Sequence, residues 1–236
     1  MLLVSVVAYA QPVAVDGIGA STPERKSTST GGIGINSEAG NTTQLGINAT
    51  KITGNWQGYY GNVSGEITLD DGDSNTLFSW ALASVSGEIF AVNTTASVQW
   101  NNITCVNLTN ATGSGEGATK INGTTLNQQY FISNNDPDNF SATFSDVYGG
   151  SDLTIGTRTI TSANACPLAY LYVSNQSQST DYQELLLFDN LSALVFATII
   201  EPDTTVGFDG KQWNFEMLVA QQNASAGTYY FYVELS

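Results

Sequence analysis

The sequence is most informative at Leu185-Leu186-Leu187-Phe188-Asp189-Asn190-Leu191-Ser192-Ala193-Leu194-Val195-Phe196-Ala197-Thr198-Ile199-Ile200. Two apolar runs, Leu185–Phe188 and Ala193–Ile200, stand on either side of a short group of turn-forming residues. Runs of this length with no polar alternation are typical of strands that are buried on both faces. The stretch therefore predicts two central strands joined through a tight turn at Asp189-Asn190.

Short β-type segments separated by Gly, Asn, Asp and Ser extend from this pair along most of the chain. Gly, β-branched and aromatic residues are frequent, and no run of good helix formers at helical spacing is present, so no helix is predicted. The pattern indicates an all-β protein, an antiparallel β-sandwich or jelly-roll-like single domain over residues 43–236. The central pair is predicted as Gln183–Phe188 and Ala193–Glu201. The other predicted strands are Leu45–Thr53, Trp56–Leu69, Leu77–Ala83, Gly87–Asn93, Ser97–Trp100, Gln129–Ser133, Asp152–Thr161, Leu168–Ser174, Trp213–Gln221 and Thr228–Leu235.

The region before this domain has a different composition. Residues 1–10 form a short apolar run ending in Ala8-Tyr9-Ala10, a small-x-small pattern that predicts the remnant of a signal peptide, with Gln11 as the mature start. Residues 11–42 are rich in Gly, Ser, Thr and Pro and predict an extended N-terminal arm. Two alternatives stay open for this arm, a linker or a strand donated to another subunit. The apolar residues of the donated strand would be Val13, Val15 and Ile18, or Ile33 and Ile35.

Acceptor triplets for N-linked glycans are unusually frequent. The 21 Asn and 50 Ser plus Thr of the chain would form roughly four or five Asn-x-Ser/Thr triplets by chance, whereas twelve are present. Acceptors of this kind occupy surface turns of secreted proteins, so the excess predicts a glycoprotein. The alternative is ordinary turn chemistry in an Asn- and Thr-rich β-protein. The acceptors are Asn41, Asn48, Asn62, Asn93, Asn102, Asn107, Asn110, Asn122, Asn139, Asn175, Asn190 and Asn223.

Charge and cysteine content are consistent with an extracellular location. With 21 acidic and 6 basic residues, the formal net charge of -15 opposes binding to nucleic acid and to anionic membrane surfaces. Cys105 and Cys166 are the only cysteines, and in a secreted protein they predict one disulfide. No stretch is long and apolar enough to predict a membrane-spanning segment.

The sequence favours a protein without enzymatic activity. The absence of histidine removes nucleophile–histidine pairs and most zinc or iron sites. Gly113–Gly117 resembles a glycine-rich phosphate loop but carries Glu116 and lies between glycan acceptors, so it is predicted to be a flexible loop. A glycosidase would need two carboxylates, and Glu66, Asp70, Asp71, Asp73 or Glu88 are the candidates. No cofactor is expected. The acidic stretches Asp71–Asn75 and Asn134–Asp138 are predicted to be simple turns, because neither completes an EF-hand pattern. Calcium binding at either stretch is the alternative.

Aromatic residues cluster at Trp56-Gln57-Gly58-Tyr59-Tyr60-Gly61. Strand alternation places Tyr59 and Tyr60 on opposite faces, so at least one of them is predicted to lie in the core. An exposed aromatic ring on a β-surface can stack on a sugar ring, which leaves a carbohydrate-binding module open as an alternative.

The chain resembles a group of secreted archaeal β-rich surface proteins over most of residues 43–236. The resemblance rests on Ile52–Asp71, Val206-Gly207-Phe208-Asp209-Gly210 and Tyr229–Leu235. In general character it is also similar to archaeal extracellular filament subunits, in which the N-terminal strand of one subunit completes the sheet of the next. This similarity implies no catalytic residues. We therefore expect a structural subunit of an N-glycosylated archaeal filament, sheath or surface layer that assembles into a homopolymer, with a secreted adhesin or carbohydrate-binding module as the alternative.

Overall fold

The computed structural model describes residues 11–20, 22–27, 34–82, 84–94, 97–108, 121–221 and 227–235. The predicted signal remnant at 1–10, Gly113–Gly117, Ile33, Asn110 and Asn223 lie outside these residues. The strands are β1 (Val13–Ala14), β2 (Trp56–Gly61), β3 (Glu66–Asp70), β4 (Thr76–Ala81), β5 (Gly87–Val92), β6 (Thr104–Cys105), β7 (Asp146–Val147), β8 (Leu153–Ile155), β9 (Arg158–Ile160), β10 (Pro167–Tyr170), β11 (Gln183–Phe188), β12 (Leu194–Ile199), β13 (Phe215–Ala220) and β14 (Tyr230–Leu235). Two short helices, α1 (Gly123–Gln129) and α2 (Phe140–Thr143), complete the fold.

The main sheet is antiparallel and has the strand order β1-β14-β5-β12-β11-β10-β7. Strands β11 and β12 lie at its centre and pair over five positions, from Glu184 opposite Thr198 to Phe188 opposite Leu194. Nearly every residue of both strands is buried. The predicted central pair is therefore confirmed, as is the all-β, antiparallel class of the fold.

Both faces of the main sheet are covered by apolar side chains. Alternate residues of β12 point to opposite sides, so that Phe196 enters one core and Val195 the other. The first core is closed by the two-stranded sheet β13–β2 and by the two helices. The second is closed by the β8–β9 hairpin and by the segment around Trp100 and Ile103. The covering layers are smaller than the main sheet, so two full sheets of a sandwich or jelly roll are not established.

The two helices were not predicted, and both begin at an asparagine that caps them. The side-chain oxygen of Asn122 accepts a hydrogen bond from the amide of Thr125, and that of Asn139 accepts one from the amide of Ala142. Such caps satisfy amides that the first turn leaves without partners. The predicted strand Gln129–Ser133 is wrong, because α1 runs to Gln129 and a turn follows.

Other differences from the sequence prediction concern strand boundaries. The predicted strand Trp56–Leu69 is divided between β2 and β3, and Asp152–Thr161 is a hairpin of β8 and β9. Residues 45–53 and 97–99 are not strands. Apolar alternation in these segments is not sufficient, because a strand also needs a neighbour for its backbone hydrogen bonds.

The turn between β11 and β12 is organised by the side chain of Asp189. Its Oδ1 atom accepts hydrogen bonds from the amides of Leu191, Ser192 and Ala193 at 2.8–2.9 Å. Asn190 has a φ of 58°, in the left-handed region that asparagine tolerates. A buried carboxylate with three amide donors fixes the loop that joins the two central strands.

The predicted disulfide is confirmed between Cys105 and Cys166. Cys105 belongs to β6, and Cys166 directly precedes β10. Both β6 and β10 pair with the same edge of β11, at Leu187–Phe188 and Gln183–Leu185 respectively. The disulfide therefore joins two strands that lie end to end, and its loop of 61 residues contributes about 4 kcal/mol in the chain-entropy description.

Within the described part of the chain, neither helix approaches the length or apolarity that crossing a membrane requires.

Candidate assembly interface

The predicted arm begins with a strand that pairs within its own chain. In β1, Val13 lies opposite Val233 and Ala14 opposite Tyr232, at the edge of the main sheet. The amide of Val15 donates to the carbonyl of Phe231 at 3.5 Å. The segment that contains Val13 and Val15 thus occupies the free edge of β14, but over two paired residues only.

The described chain after β1 is extended and mostly exposed beyond the predicted arm boundary at residue 42, as far as Gly54, and residues 11–54 are called the arm from here on. In the described residues between Asp16 and Asn55, no strand is present, and four apolar side chains lie in water. Their exposed fractions are 62% for Ile18, 65% for Ile35, 53% for Leu45 and 82% for Ile47.

The arm leaves and rejoins the body at the same end of the molecule. Val15 lies beside Phe231, near the N-terminal end of β14. Trp56, the first residue of β2, lies opposite Ala220, whose carbonyl accepts a hydrogen bond from the hydroxyl of Tyr229, just before β14. We call this end the arm end.

The return of the arm is anchored by the carboxylate of Asp138. Thr53 donates its hydroxyl to Oδ2 at 2.5 Å, and Asn55 donates its amide to Oδ1 at 3.0 Å. The indole nitrogen of Trp56 donates to the Asp138 carbonyl at 2.7 Å. These bonds fix the position of residues 53–56 at the arm end.

A two-stranded hairpin projects from the opposite end. Strands β3 and β4 form a sheet of their own, and each pairs only with the other in the described structure. The hairpin follows Gly65, where an added Cβ would lie 2.6 Å from a side-chain carbon of Leu235. Leu235 is the last residue of β14, so the hairpin begins at the far end of that strand from Phe231. We call this the hairpin end.

One face of the hairpin is apolar and exposed. The register places Ile67 opposite Trp80 and Leu69 opposite Phe78, which brings these four side chains to one face. Their exposed fractions lie between 49% and 57%, and the Phe78 and Trp80 rings are 4.8 Å apart. The opposite face carries Glu66, Thr68, Asp70, Leu77 and Ser79, and these are exposed as well. The hairpin therefore does not rest on the body.

The tip of the hairpin is an acidic turn. Asp71 Oδ1 accepts hydrogen bonds from the amides of Asp73 and Asn75, and Oδ2 accepts one from the side chain of Asn75. These bonds lower the pKa of Asp71, the Asn75 side chain most of all. The carboxylate that was considered for calcium is thus the acceptor that holds the turn.

The second acidic turn, Asn134–Asp138, also uses its carboxylates within the protein. Asp136 accepts from the amide of Ser133, and Asp138 holds the returning arm. No group of three or more potential metal ligands occurs among the residues for which the structure gives positions. The expectation of no cofactor stays a prediction, with calcium as its alternative.

Tyr59 and Tyr60 point to opposite sides of β2, as alternation predicts. Tyr59 packs on Phe231 at the first core. Tyr60 is 48% exposed and contacts Phe208 and Trp213, with ring centroids 4.9 and 5.1 Å apart. The Trp213 indole donates to Asp209, so this aromatic cluster is held by the loop before β13.

The predicted glycan acceptors differ in their surroundings. Asn139 is half-buried, and its side-chain amide donates to the carbonyls of Asn134 and Asp136 at 2.9 and 2.8 Å. The side chain of Asn93 donates to the hydroxyl of Tyr130. Asn93, Asn107 and Asn122 are also half-buried, whereas the exposed acceptors are Asn41, Asn48, Asn62, Asn102, Asn175 and Asn190.

Of the five carboxylates considered for catalysis, four lie in the hairpin and Glu88 lies in the main sheet. Glu88 is opposite Glu234 on the neighbouring strand, and both are buried. Burial, together with the Glu234 carboxylate, raises the pKa of Glu88 to about 7. Both oxygens of Glu234 accept from the amide of Gly156. The sequence did not predict this pair, since its members are far apart in the chain.

Comparison with known protein families, with curated proteins and with solved structures gave no match. The similarity to archaeal filament subunits therefore stays a prediction.

The Glu88–Glu234 pair predicts a pH-dependent stability. A carboxyl with a raised pKa in the folded state keeps a proton that the unfolded chain releases. Stability from this group is complete below about pH 4.5 and is lost as the pH rises to about 7. The free energy of unfolding should fall by about 2–3 kcal/mol over this interval. Urea unfolding of Glu88→Gln should show a flatter pH profile, whereas the exposed control Glu24→Gln should keep the wild-type profile. If the free energy of unfolding of Glu88→Gln falls with pH as steeply as that of the wild type, the pH dependence arises from other groups.

The surroundings of the acceptors predict which of them carry glycan. An N-linked glycan replaces one hydrogen of the asparagine side-chain amide. Both hydrogens of Asn139 are already bonded to carbonyls, so we expect no glycan there, whereas the exposed Asn175 should be occupied. Glycopeptide mass spectrometry of the native protein measures both sites in one sample. A glycan on Asn139 with none on Asn175 would contradict this assignment.

Proposed function

We propose that the protein is a structural subunit of an extracellular, N-glycosylated filament, sheath or surface layer, in which copies join through β-strand contacts. The observation that carries the proposal is the position of two unpartnered β-type features at opposite ends of one molecule. The arm end supplies an extended segment, and the hairpin end supplies an exposed apolar sheet face.

The low stability of an isolated two-stranded hairpin supports the proposal that another copy covers the hairpin end. An isolated hairpin is marginal in water, and an exposed apolar face with free strand edges favours association. Because the two features differ and lie at opposite ends, a contact between them is head-to-tail. A head-to-tail contact repeats from copy to copy and forms a fibre when it does not close into a ring.

The N-terminal strand fits this proposal as an exchangeable element. β1 is held by two residue pairs, and the exposed residues that follow it leave a long connection. Exchange of such a strand between copies keeps the same pairing with β14 while it links two molecules. Val13, Val15 and Ile18, or Ile33 and Ile35, remain the candidate donors, and the disulfide and the predicted glycans suit an exterior location.

A test of assembly compares the purified full-length protein with a variant that lacks residues 11–52. We expect the full chain to form polymers in electron microscopy and in sedimentation velocity, and the deletion to leave a monomer with an intact disulfide. The deletion keeps the body from Thr53 onward, including the Asp138 anchor. A wild-type protein that stays monomeric at every concentration would refute the proposal, whereas a deletion variant that polymerises would remove the arm from the contact.

A second candidate function, a secreted adhesin or carbohydrate-binding module, is favoured by the Tyr60–Phe208–Trp213 cluster. A half-exposed aromatic ring beside Asp209 combines a stacking surface with a polar group, as sugar sites do. The backbone amide of Asn175, a glycan acceptor, donates to the carbonyl of Phe208, so the chain's own glycan lies close to this cluster.

The carbohydrate candidate is tested by retention on insoluble polysaccharides. Wild type and Asn175→Gln should both be retained, the latter more strongly if its own glycan competes for the cluster. Tyr60→Ala/Trp213→Ala should bind with at least tenfold lower affinity and elute earlier, whereas Phe131→Ala, which removes an exposed aromatic residue after α1, should behave as wild type. Equal elution of all four proteins would exclude the cluster as a sugar site.

A further inference from the structure

The apolar face of the β3–β4 hairpin needs a partner that its own chain does not provide. Ile67, Leu69, Phe78 and Trp80 form a continuous group on this face, and all are exposed. Side chains of this size on one face of a two-stranded sheet mark a contact surface. The identity of the occupant follows from charge, from alternation and from the exposure of the chain's own arm.

Charge around the hairpin selects a basic partner. Glu66 and Asp70 lie on the opposite face of the hairpin, Asp71 and Asp73 lie at its tip, and no lysine or arginine occurs between Lys51 and Lys120. Three of the six basic residues of the chain, Arg25, Lys26 and Lys51, lie in the arm, and all three are exposed. A copy of this acidic chain can therefore approach the hairpin most favourably with its arm.

Alternation selects one segment of the arm. In an extended chain Leu45, Ile47 and Lys51 point to the same side, and Gln44 and Asn48 point to the other. A segment from Thr43 to Lys51 can place Leu45 and Ile47 on the apolar face and Lys51 beside the acidic tip. Asn48, a predicted glycan acceptor, then points away from the contact, so a glycan does not obstruct it.

The chain's own arm does not cover this face in the structure. Ile47 is 82% exposed, and the four apolar side chains of the hairpin keep exposed fractions of 49–57%. Thr53 holds the arm to Asp138 at the arm end, away from the hairpin end. The hairpin face is therefore free to receive the arm of a second copy.

We propose that residues Thr43–Lys51 of a second copy of this chain bind the apolar face of the β3–β4 hairpin, with Leu45 and Ile47 against Ile67, Leu69, Phe78 and Trp80. This inference rests on the proposed function and assigns the two partners of its repeating contact. The contact is directional, since each copy presents one arm at one end and one hairpin at the other.

The test uses two variants of the full chain that each remove one partner. The arm variant is Leu45→Ser/Ile47→Ser, and the hairpin variant is Phe78→Ser/Trp80→Ser. Each should assemble only at concentrations at least tenfold above those of the wild type. A 1:1 mixture should sediment as a discrete dimer, because it contains one intact arm and one intact hairpin in complementary copies. Circular dichroism melting and the intact disulfide report whether each variant is folded.

The matched control is Phe131→Ser/Leu191→Ser, which removes two exposed apolar residues of the body, 75% and 71% exposed, outside both proposed partners. This control should assemble as the wild type does. If instead the control loses assembly while the arm variant keeps it, the contact belongs to the surface of the body and the inference is wrong. Self-association of the arm variant through paired hairpins would also overturn it.

A second pair of variants tests the same contact without changing the apolar face. Lys51→Glu should weaken assembly at low salt by at least fivefold, and adding Asp73→Lys to that chain should restore it. Failure of this restoration would contradict the placement of Lys51 at the acidic tip. If the wild type and all the variants assemble equally well, this inference is refuted and the proposed function is not. If the wild type never assembles, both the proposed function and this inference are refuted.

Discussion

The pairing of β11 with β12 is the constraint on which the rest of the structure depends. Both strands are apolar on both faces, so neither face can be left to water. Phe196 and Leu186 require the cover that β13, β2 and the helices provide, and Val195 and Leu187 require the cover of the β8–β9 hairpin. The Asp189 loop and the Cys105–Cys166 disulfide stabilise the connections of this pair.

Two peripheral segments have alternating apolar residues that no other part of the described structure buries. The β3–β4 hairpin has a well-defined register and a continuous apolar face, yet its side chains remain exposed. The arm segment around Leu45 and Ile47 has the same alternation and no strand partner. Both features lie outside the layers that close the two cores, and their separation to opposite ends is what makes a repeating contact between copies physically reasonable.

Electrostatics adds direction to this arrangement. A net charge of -15 disfavours contact between most surfaces of two copies. The arm is the exception because it holds half of the basic residues, and the hairpin holds a local concentration of acidic ones. Attraction between these two regions would orient association while the remaining surface stays repulsive and hydrated.

The sequence predicted correctly those features that depend on a local pattern or that allow only one arrangement. The long apolar runs predicted β11 and β12, and β5, β13 and β14 also begin close to their predicted positions. It failed at Gln129–Ser133, where the Asn122 cap and the contacts of Leu126 with the first core favour a helix. It also failed at residues 45–53, where alternation was present but no neighbouring strand was available. Three further features could not be predicted, because they bring together residues whose contact does not follow from their spacing in the sequence. These are the Glu88–Glu234 pair, the exposed hairpin face and the aromatic cluster around Tyr60.

By itself, the sequence determined the β class, the central apolar pair, the single cysteine pairing and the excess of glycan acceptors. Each of these depends on composition, on local periodicity or on simple counting. Only the tertiary structure decided that Val13 and Ala14 pair with β14, that both hydrogens of the Asn139 amide are engaged, and that Ile67 and Trp80 stay in water. The physical reason is that burial and hydrogen bonding depend on which distant segments meet, and a strand has the same alternation whether its apolar face finds a partner or not.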